Sequence, residues 1–178
     1  MKINLITLAT VKTQLGISDS SYDANITAMI PIVSTDIRRI LNCEFDEYVT
    51  VTTTSGSADF ISGIAFKMGQ VLSGTGITDD TYIQSYDAST GTYTMNAAAT
   101  ADGTFFYPTV LIAQWPAISK MIFYKIGKQT TTSATGQQLH SVRYGNVSKT
   151  FADNEINKQY DYPKIYINDL GVPFARIG

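Results

Sequence analysis

The residues that carry most enzyme chemistry are scarce in this chain. It has one cysteine, Cys43, and one histidine, His140. A single cysteine excludes an intramolecular disulfide, and a histidine-based metal site would need its remaining ligands from carboxylates or from that cysteine. Because Cys43 ends an apolar helical run, we expect it to be a buried, inert thiol. No Gly-x-Ser-x-Gly elbow presents a nucleophile. We therefore expect neither an enzyme nor a bound cofactor or metal.

Charged residues and long apolar runs are also few. Charged residues make up 16% of the chain, against about 25% in typical soluble domains. The uncharged surface could be buried against neighbours or kept soluble by Ser, Thr, Asn and Gly, and both interpretations stay open. A net charge of -2, with Arg38 and Arg39 as the only adjacent basic pair, argues against a protein that wraps nucleic acid. No stretch approaches the roughly 18 apolar residues of a membrane span, and no signal peptide is evident.

The first 47 residues are predicted to be helical. Thr7 is placed to cap a short helix that Gly16 ends. Ser20 and Asp23 resemble a capping pair for a second helix from Ala24 to Cys43, whose apolar positions recur at steps of three and four. Pro31 lies inside that pattern and predicts a bend rather than two helices. Arg38 and Arg39 should point to different faces of this helix.

From residue 48 the sequence changes to Thr, Ser, Gly and β-branched residues. Short runs with alternating polarity are separated by turn signals such as Ser55-Gly56, Ser89-Thr90-Gly91 and Asp102-Gly103, a spacing typical of a small antiparallel β barrel or sandwich. The predicted strands are 49–54, 70–72, 82–86, 92–95 and 104–107. Gly74-Thr75-Gly76 superficially resembles a phosphate loop but is better explained as a β-turn.

Helical spacing returns around Pro108 and continues to Lys128, with Pro116 acceptable in a first turn. A Thr-rich loop follows, then a strand or strand pair around Gly145, a short helix from Tyr162 to Leu170 that Gly171 ends, and an extended tail. The fold class is therefore α+β. We expect residues 1–47 and 108–178 to form a core of three to four helices with this tail, and residues 48–107 to form an inserted β domain.

Two groups of side chains could carry other chemistry. Asp79, Asp80, Asp87 and Asp102 lie in turns and could gather calcium, although solvated turn residues are the better interpretation because no EF-hand pattern is present. The second group is aromatic and could form a sugar-binding or surface-binding platform, although alternating aromatics more often fill a small β core. Its members are Tyr82, Tyr86, Tyr93, Phe105, Phe106 and Tyr107.

The chain resembles the head-tail connector (adaptor) family of tailed bacteriophages. The resemblance lies in the run Leu8-Ala9-Thr10-Val11-Lys12-Thr13-Gln14-Leu15-Gly16-Ile17, the acidic turn 18–23 and the long helix after it. The Pro-opened helix at Trp115-Pro116, the strand 142–151 and the Pro-x-Phe-x-Arg-x-Gly ending at 173–178 are also similar to the family. The resemblance covers residues 5–47 and 109–178. The β region between them departs from the pattern of the small family members. That region is itself similar to β modules of phage virion proteins.

The resemblance implies a structural subunit of the virion neck, assembled in the host cytoplasm. It implies a homo-oligomeric ring, usually of 12 subunits, between the portal protein and the next neck or tail protein, through which DNA passes without sequence-specific contact. The C-terminal tail of the chain supplies the portal-contact candidates. The Thr-rich loop supplies candidates for lining the channel or for contacting the phage tail. The portal-contact candidates are Val172, Pro173, Phe174, Arg176 and Ile177. The loop candidates are Thr130, Thr131, Thr132, Gln137 and Gln138. Phe174 could instead pack on the subunit's own third helix.

Overall fold

A computed structural model describes residues 3–45, 47, 49–130, 141–144, 147–150, 156–157 and 159–171. These residues form an α+β fold with four helices and small antiparallel sheets, none of which closes into a barrel. The chain divides into two compact units. The β unit comprises Met1–Leu5 and Glu44–Ala113, and the helical unit comprises Ile6–Cys43 and Gln114–Gly178.

Helix α1, Leu8–Leu15, has the predicted caps. The Thr7 side chain accepts a hydrogen bond from the Thr10 backbone N–H at 3.2 Å. Gly16 adopts a left-handed conformation with φ of 65°, which a residue without Cβ does at little cost. Lys12 then donates to Asp23 at 2.7 Å and links α1 to the start of the next helix.

Helix α2, Asp23–Leu41, continues through Pro31 as one helix, as predicted. The expected capping pair is wrong, since no side chain caps the helix at Tyr22. The Asp19 carboxylate instead accepts from the Ser21 N–H at 2.8 Å and shapes the preceding turn. Asn42 ends the helix in the left-handed region with φ of 53°, a conformation that Asn tolerates better than most residues.

The β unit contains two three-stranded antiparallel sheets. One has the order β1-β6-β3, with β1 at Val49–Thr53, β6 at Gly103–Leu111 and β3 at Gln70–Ser73. The other has the order β2-β5-β4, with β2 at Asp59–Ile61, β5 at Thr92–Met95 and β4 at Ile83–Asp87. Strand β2 was not predicted, because three residues between two turn signals are too few to show alternation.

Strand β6 corrects the expectation that helical structure begins near Pro108. The strand continues to Leu111 and a 3-10 turn, Ile112–Gln114, follows it. Pro108 pairs with Leu72 of β3, whereas the pairing with β1 on the other side extends only to Phe106. Proline has no backbone N–H to donate, and it is tolerated at this position because, among the described residues, only β3 pairs with β6 beyond Phe106.

Helix α3, Trp115–Thr130, holds Pro116 in its first turn, as predicted. Helices α1, α2 and α4 all pack against it. Between Ala117 and Ile126, α3 is therefore buried on nearly every side. Strands β7, Ser141–Tyr144, and β8, Val147–Thr150, form an antiparallel pair. Strands β9, Ile156–Asn157, and β10, Tyr162–Pro163, also pair and precede α4, Lys164–Leu170.

Candidate interaction surfaces

Two of the acidic turn residues, Asp87 and Asp102, accept hydrogen bonds within the β unit. Asp87 Oδ1 accepts from both the backbone N–H and the hydroxyl of Ser89, at 2.8 and 2.7 Å, and these bonds lower the pKa of the Asp87 carboxyl. Asp102 Oδ1 accepts from the Ser55 N–H at 2.9 Å. No group of three or more potential metal ligands occurs among the described residues. His140 lies outside them.

Gly74-Thr75-Gly76 forms a turn, as predicted, rather than a phosphate cradle. The Ile77 N–H donates to the Gly74 carbonyl at 3.2 Å, and the Gly76 carbonyl accepts from the Thr100 N–H at 2.8 Å. The β-turn interpretation is therefore confirmed, because the backbone groups here are engaged within the β unit.

Two predictions on α2 have opposite outcomes. Arg38 is buried and donates to the Ser34 carbonyl at 3.3 Å, whereas Arg39 is exposed, so the prediction that they occupy different faces is confirmed. Cys43 is only partly buried. The expectation of a core thiol is wrong there because α2 ends at Leu41, two residues before the cysteine.

The predicted contact segments are almost entirely outside the described residues. The portal-contact candidates Val172, Pro173, Phe174, Arg176 and Ile177 all lie there, as do Thr131, Thr132, Gln137 and Gln138 of the loop. Thr130 is the last residue of α3. These assignments stay predictions.

The aromatic residues of the β unit are divided between core and surface. Tyr93 is buried, stacks on Phe60 at 5.6 Å and accepts from the Phe66 N–H at 3.3 Å. Tyr86 lies against Tyr93 with ring centroids 4.5 Å apart and is 47% exposed. Tyr82 and Tyr107 are partly buried. A flat aromatic platform is therefore not assembled from the side chains described, because Tyr93 fills the core.

A tyrosine and charge network lies within the helical unit. Tyr162 is fully buried and its hydroxyl donates to Asp36 Oδ2 at 2.7 Å. Lys125 Nζ is 3.7 Å from the same carboxylate oxygen and 4.6 Å from the Tyr162 ring centroid. Next along the chain, Asp161 accepts from Lys128 with both carboxylate oxygens, at 2.5 and 2.6 Å.

Burial and nearby charge perturb two tyrosines of the helical unit, Tyr124 and Tyr162. Burial, followed by the charge of Asp161, raises the pKa of Tyr124 to about 12. Burial, followed by the hydrogen bond to Asp36, also raises the pKa of Tyr162. Raised tyrosine pKa values favour the neutral phenol, the opposite of what a tyrosine general base needs. The network instead ties residues 161–162 to helices α2 and α3.

The solvent-facing side of α2 has an unusual composition. Between Asp23 and Asp36 its exposed residues carry no charge, whereas the solvent face of a surface helix is usually charged or polar. We call this set the outer face of α2. Its members are Ala24, Asn25, Thr27, Ala28, Pro31, Ile32 and Thr35.

One hydroxyl of the outer face is already bonded within the helix. The Thr35 hydroxyl donates to the Pro31 carbonyl at 3.0 Å, so its hydrogen is already used within the helix. At the near end, Tyr22 packs against Phe123 at 5.3 Å and remains 40% exposed. The sequence shows that residues 24 to 35 carry no charge. Only the structure shows which of these residues are exposed.

An apolar surface lies on the β unit and was not predicted. Ile61, Ile64 and Met68 are 69%, 52% and 49% exposed; we call them the apolar ridge. Buried Phe66 anchors the segment between them, in edge-on contact with Phe60 and Tyr93 at 5.6 and 5.3 Å. The sequence signal was three large apolar residues within a turn-rich segment that has no strand or helix period.

The ridge segment is held by local hydrogen bonds at both ends. The Ile64 N–H donates to the Ser62 hydroxyl at 3.0 Å, and the Lys67 N–H donates to Gln70 Oε1 at 3.0 Å. At the edge strand β2, the Ser57 hydroxyl accepts from the Asp59 N–H and donates to the Asp59 carbonyl. The backbone N–H and carbonyl of Asp59 are therefore satisfied within the β unit.

Formal charge differs strongly between the two units. The β unit has two basic and eight acidic residues, a charge of -6, and the helical unit has eleven basic and seven acidic residues, a charge of +4. The net charge of -2 for the whole chain conceals this asymmetry.

No protein-family model, curated protein or solved structure matches the chain. Among the described residues, no helix is long and apolar enough to cross a membrane.

Proposed function

We propose that this chain is a structural virion protein of a tailed phage, a head-tail connector subunit that forms a ring between portal and tail. The observation that carries the proposal is the outer face of α2, which exposes seven residues without a charge. A face of this kind suits burial against another subunit, because no charged group would have to be desolvated. The resemblance of residues 5–47 and 109–178 to the connector family supports the same function.

The proposed ring has about 12 subunits, as the resemblance implies, with the portal protein on one side and a neck or tail protein on the other. The tail residues 172–178 remain the proposed portal contact. Non-specific passage of DNA through the ring is part of the proposal, as the resemblance implies.

The β unit is proposed to be a small sandwich presented by this ring. Its two sheets share one hydrophobic core, to which β1 and β3 contribute Val51 and Leu72 while the other sheet contributes Phe60, Ile83 and Met95. Two sheets that face each other across a common core are the arrangement of a β-sandwich.

The test is assembly on the portal. We expect the wild-type chain, mixed with purified portal protein, to form rings that electron microscopy resolves. Ala28→Glu places a charge at the outer face of α2 and should abolish the rings. Ile165→Glu changes an exposed isoleucine of α4 outside that face and serves as the matched control. Wild-type protein that stays monomeric beside its portal, with no ring in micrographs, would refute the proposed function.

A further inference from the structure

We infer that the apolar ridge of one subunit docks on the outer face of α2 of a neighbouring copy. This inference rests on the proposed ring, and it names the two surfaces that meet. Both surfaces are exposed in the single chain, so a second copy can reach each of them.

The two surfaces are complementary in the size of their apolar side chains. The ridge projects Ile61, Ile64 and Met68 from a segment that Phe66 fixes in the core. The outer face of α2 offers small side chains at Ala24 and Ala28, beside the exposed Ile32. Large side chains projecting from one surface pack well against small residues on another, and their burial removes apolar area from water.

The two surfaces also belong to units of opposite charge. The ridge is part of the unit with a formal charge of -6, and the outer face is part of the unit with a charge of +4. Contact between like units of two copies would bring together net charges of the same sign, whereas contact between unlike units brings together net charges of opposite sign. The occupant that the charges favour is therefore another copy in a head-to-tail arrangement.

The edge strand β2 bears on how the ridge would contact the neighbouring copy. Strand β2 is an edge of its sheet, but Ser57 satisfies both backbone groups of Asp59. Addition of a strand from the neighbour is therefore disfavoured at Asp59. In the inferred contact, the ridge side chains pack against the neighbour's helix instead. A contact between two different surfaces is heterologous and generates a ring when its rotation closes.

The experiment mixes two variants that are each defective on one surface. Ile64→Glu disrupts the ridge and leaves the outer face intact, whereas Ala28→Glu does the reverse. We expect wild-type protein to self-associate in analytical ultracentrifugation, each variant alone to sediment as a monomer, and an equimolar mixture to form a heterodimer and nothing larger. Circular dichroism and urea midpoints matching wild type confirm that both variants fold, and Ile165→Glu should associate like wild type.

Several outcomes would overturn the inference while the proposed function stands. One is Ile64→Glu associating normally while Ala28→Glu does not, which indicates that α2 pairs with itself. Others are a mixture that stays monomeric, or wild-type protein that is monomeric at every concentration but still forms rings on the portal. If no rings form on the portal, the proposed function itself fails.

Discussion

The hydroxyl of Tyr162 donates a 2.7 Å hydrogen bond to the carboxylate of Asp36, joining residues 126 positions apart. Tyr162 is fully buried, and Asp36 belongs to α2, the helix that carries the proposed subunit interface. The bond therefore holds the end of the chain that precedes the tail against the helix that would meet a neighbour.

We expect Tyr162→Phe to lower the free energy of unfolding by roughly 1.5 to 3 kcal/mol, the range for a buried hydrogen bond to a charged group. Urea denaturation measures the loss. Tyr86→Phe removes the hydroxyl of an exposed tyrosine and should change stability by less than about 0.5 kcal/mol. Equal effects of the two substitutions would show that the hydrogen bond to Asp36 does not stabilise the folded protein.

Alkaline pH should destabilise the helical unit through Tyr124. Its pKa is raised to about 12 in the folded protein, against about 10 for an unperturbed tyrosine. Between these values the unfolded chain releases the phenol proton and the folded chain retains it, so the stabilising contribution is complete below about pH 10 and is lost as pH rises toward about 12.

The measurement compares wild type with Tyr124→Phe, since lysines titrate in the same range and cancel in the difference. From about pH 10 to about pH 12, wild type should lose stability relative to the Phe variant, which has no phenol to ionise. A difference in unfolding free energy that does not vary with pH would contradict the raised pKa.

Gly76 combines a left-handed backbone with close packing. Its φ is 75°, and a Cβ added there would lie 2.7 Å from the Ala101 carbonyl oxygen. Gly56 has a similar φ of 80° but open space around it. We expect Gly56→Ala to cost about 1 to 2 kcal/mol for the left-handed conformation alone, and Gly76→Ala to cost at least about 1 kcal/mol more because backbone must move. Equal urea midpoints for the two variants would disprove the steric effect.

Features set by neighbours in the chain were predicted well. Thr7 and Gly16 cap α1 as expected, and β5 occupies Thr92–Met95, the run predicted from alternation. Caps, left-handed turns and strand alternation each depend on a few consecutive residues, so the sequence contains their cause. The capping pair at Ser20 failed because a second local acceptor, the carboxylate of Asp19, shaped the turn in its place.

Features set by pairing partners were predicted poorly. Pro108 indicated the end of a strand, yet β6 continues through it because its neighbour β3 reaches further than β1 does. The short strands β2, β9 and β10 have two or three residues each, and their identity as strands comes from the partner rather than from their own pattern. Helical spacing predicted α3 itself, but not that three other helices pack against it.

The sequence by itself determined the α+β class, the caps of α1, the turns of the β unit and the scarcity of catalytic residues, since these follow from residue type and close spacing. Only the tertiary structure decided that Asp36 meets Tyr162, that Phe66 anchors the apolar ridge, and which of the uncharged residues of α2 face outward. Each of these depends on which distant segments bury a given face. Packing between distant segments reduces the exposed apolar area of a whole unit, which no short stretch of sequence specifies by itself.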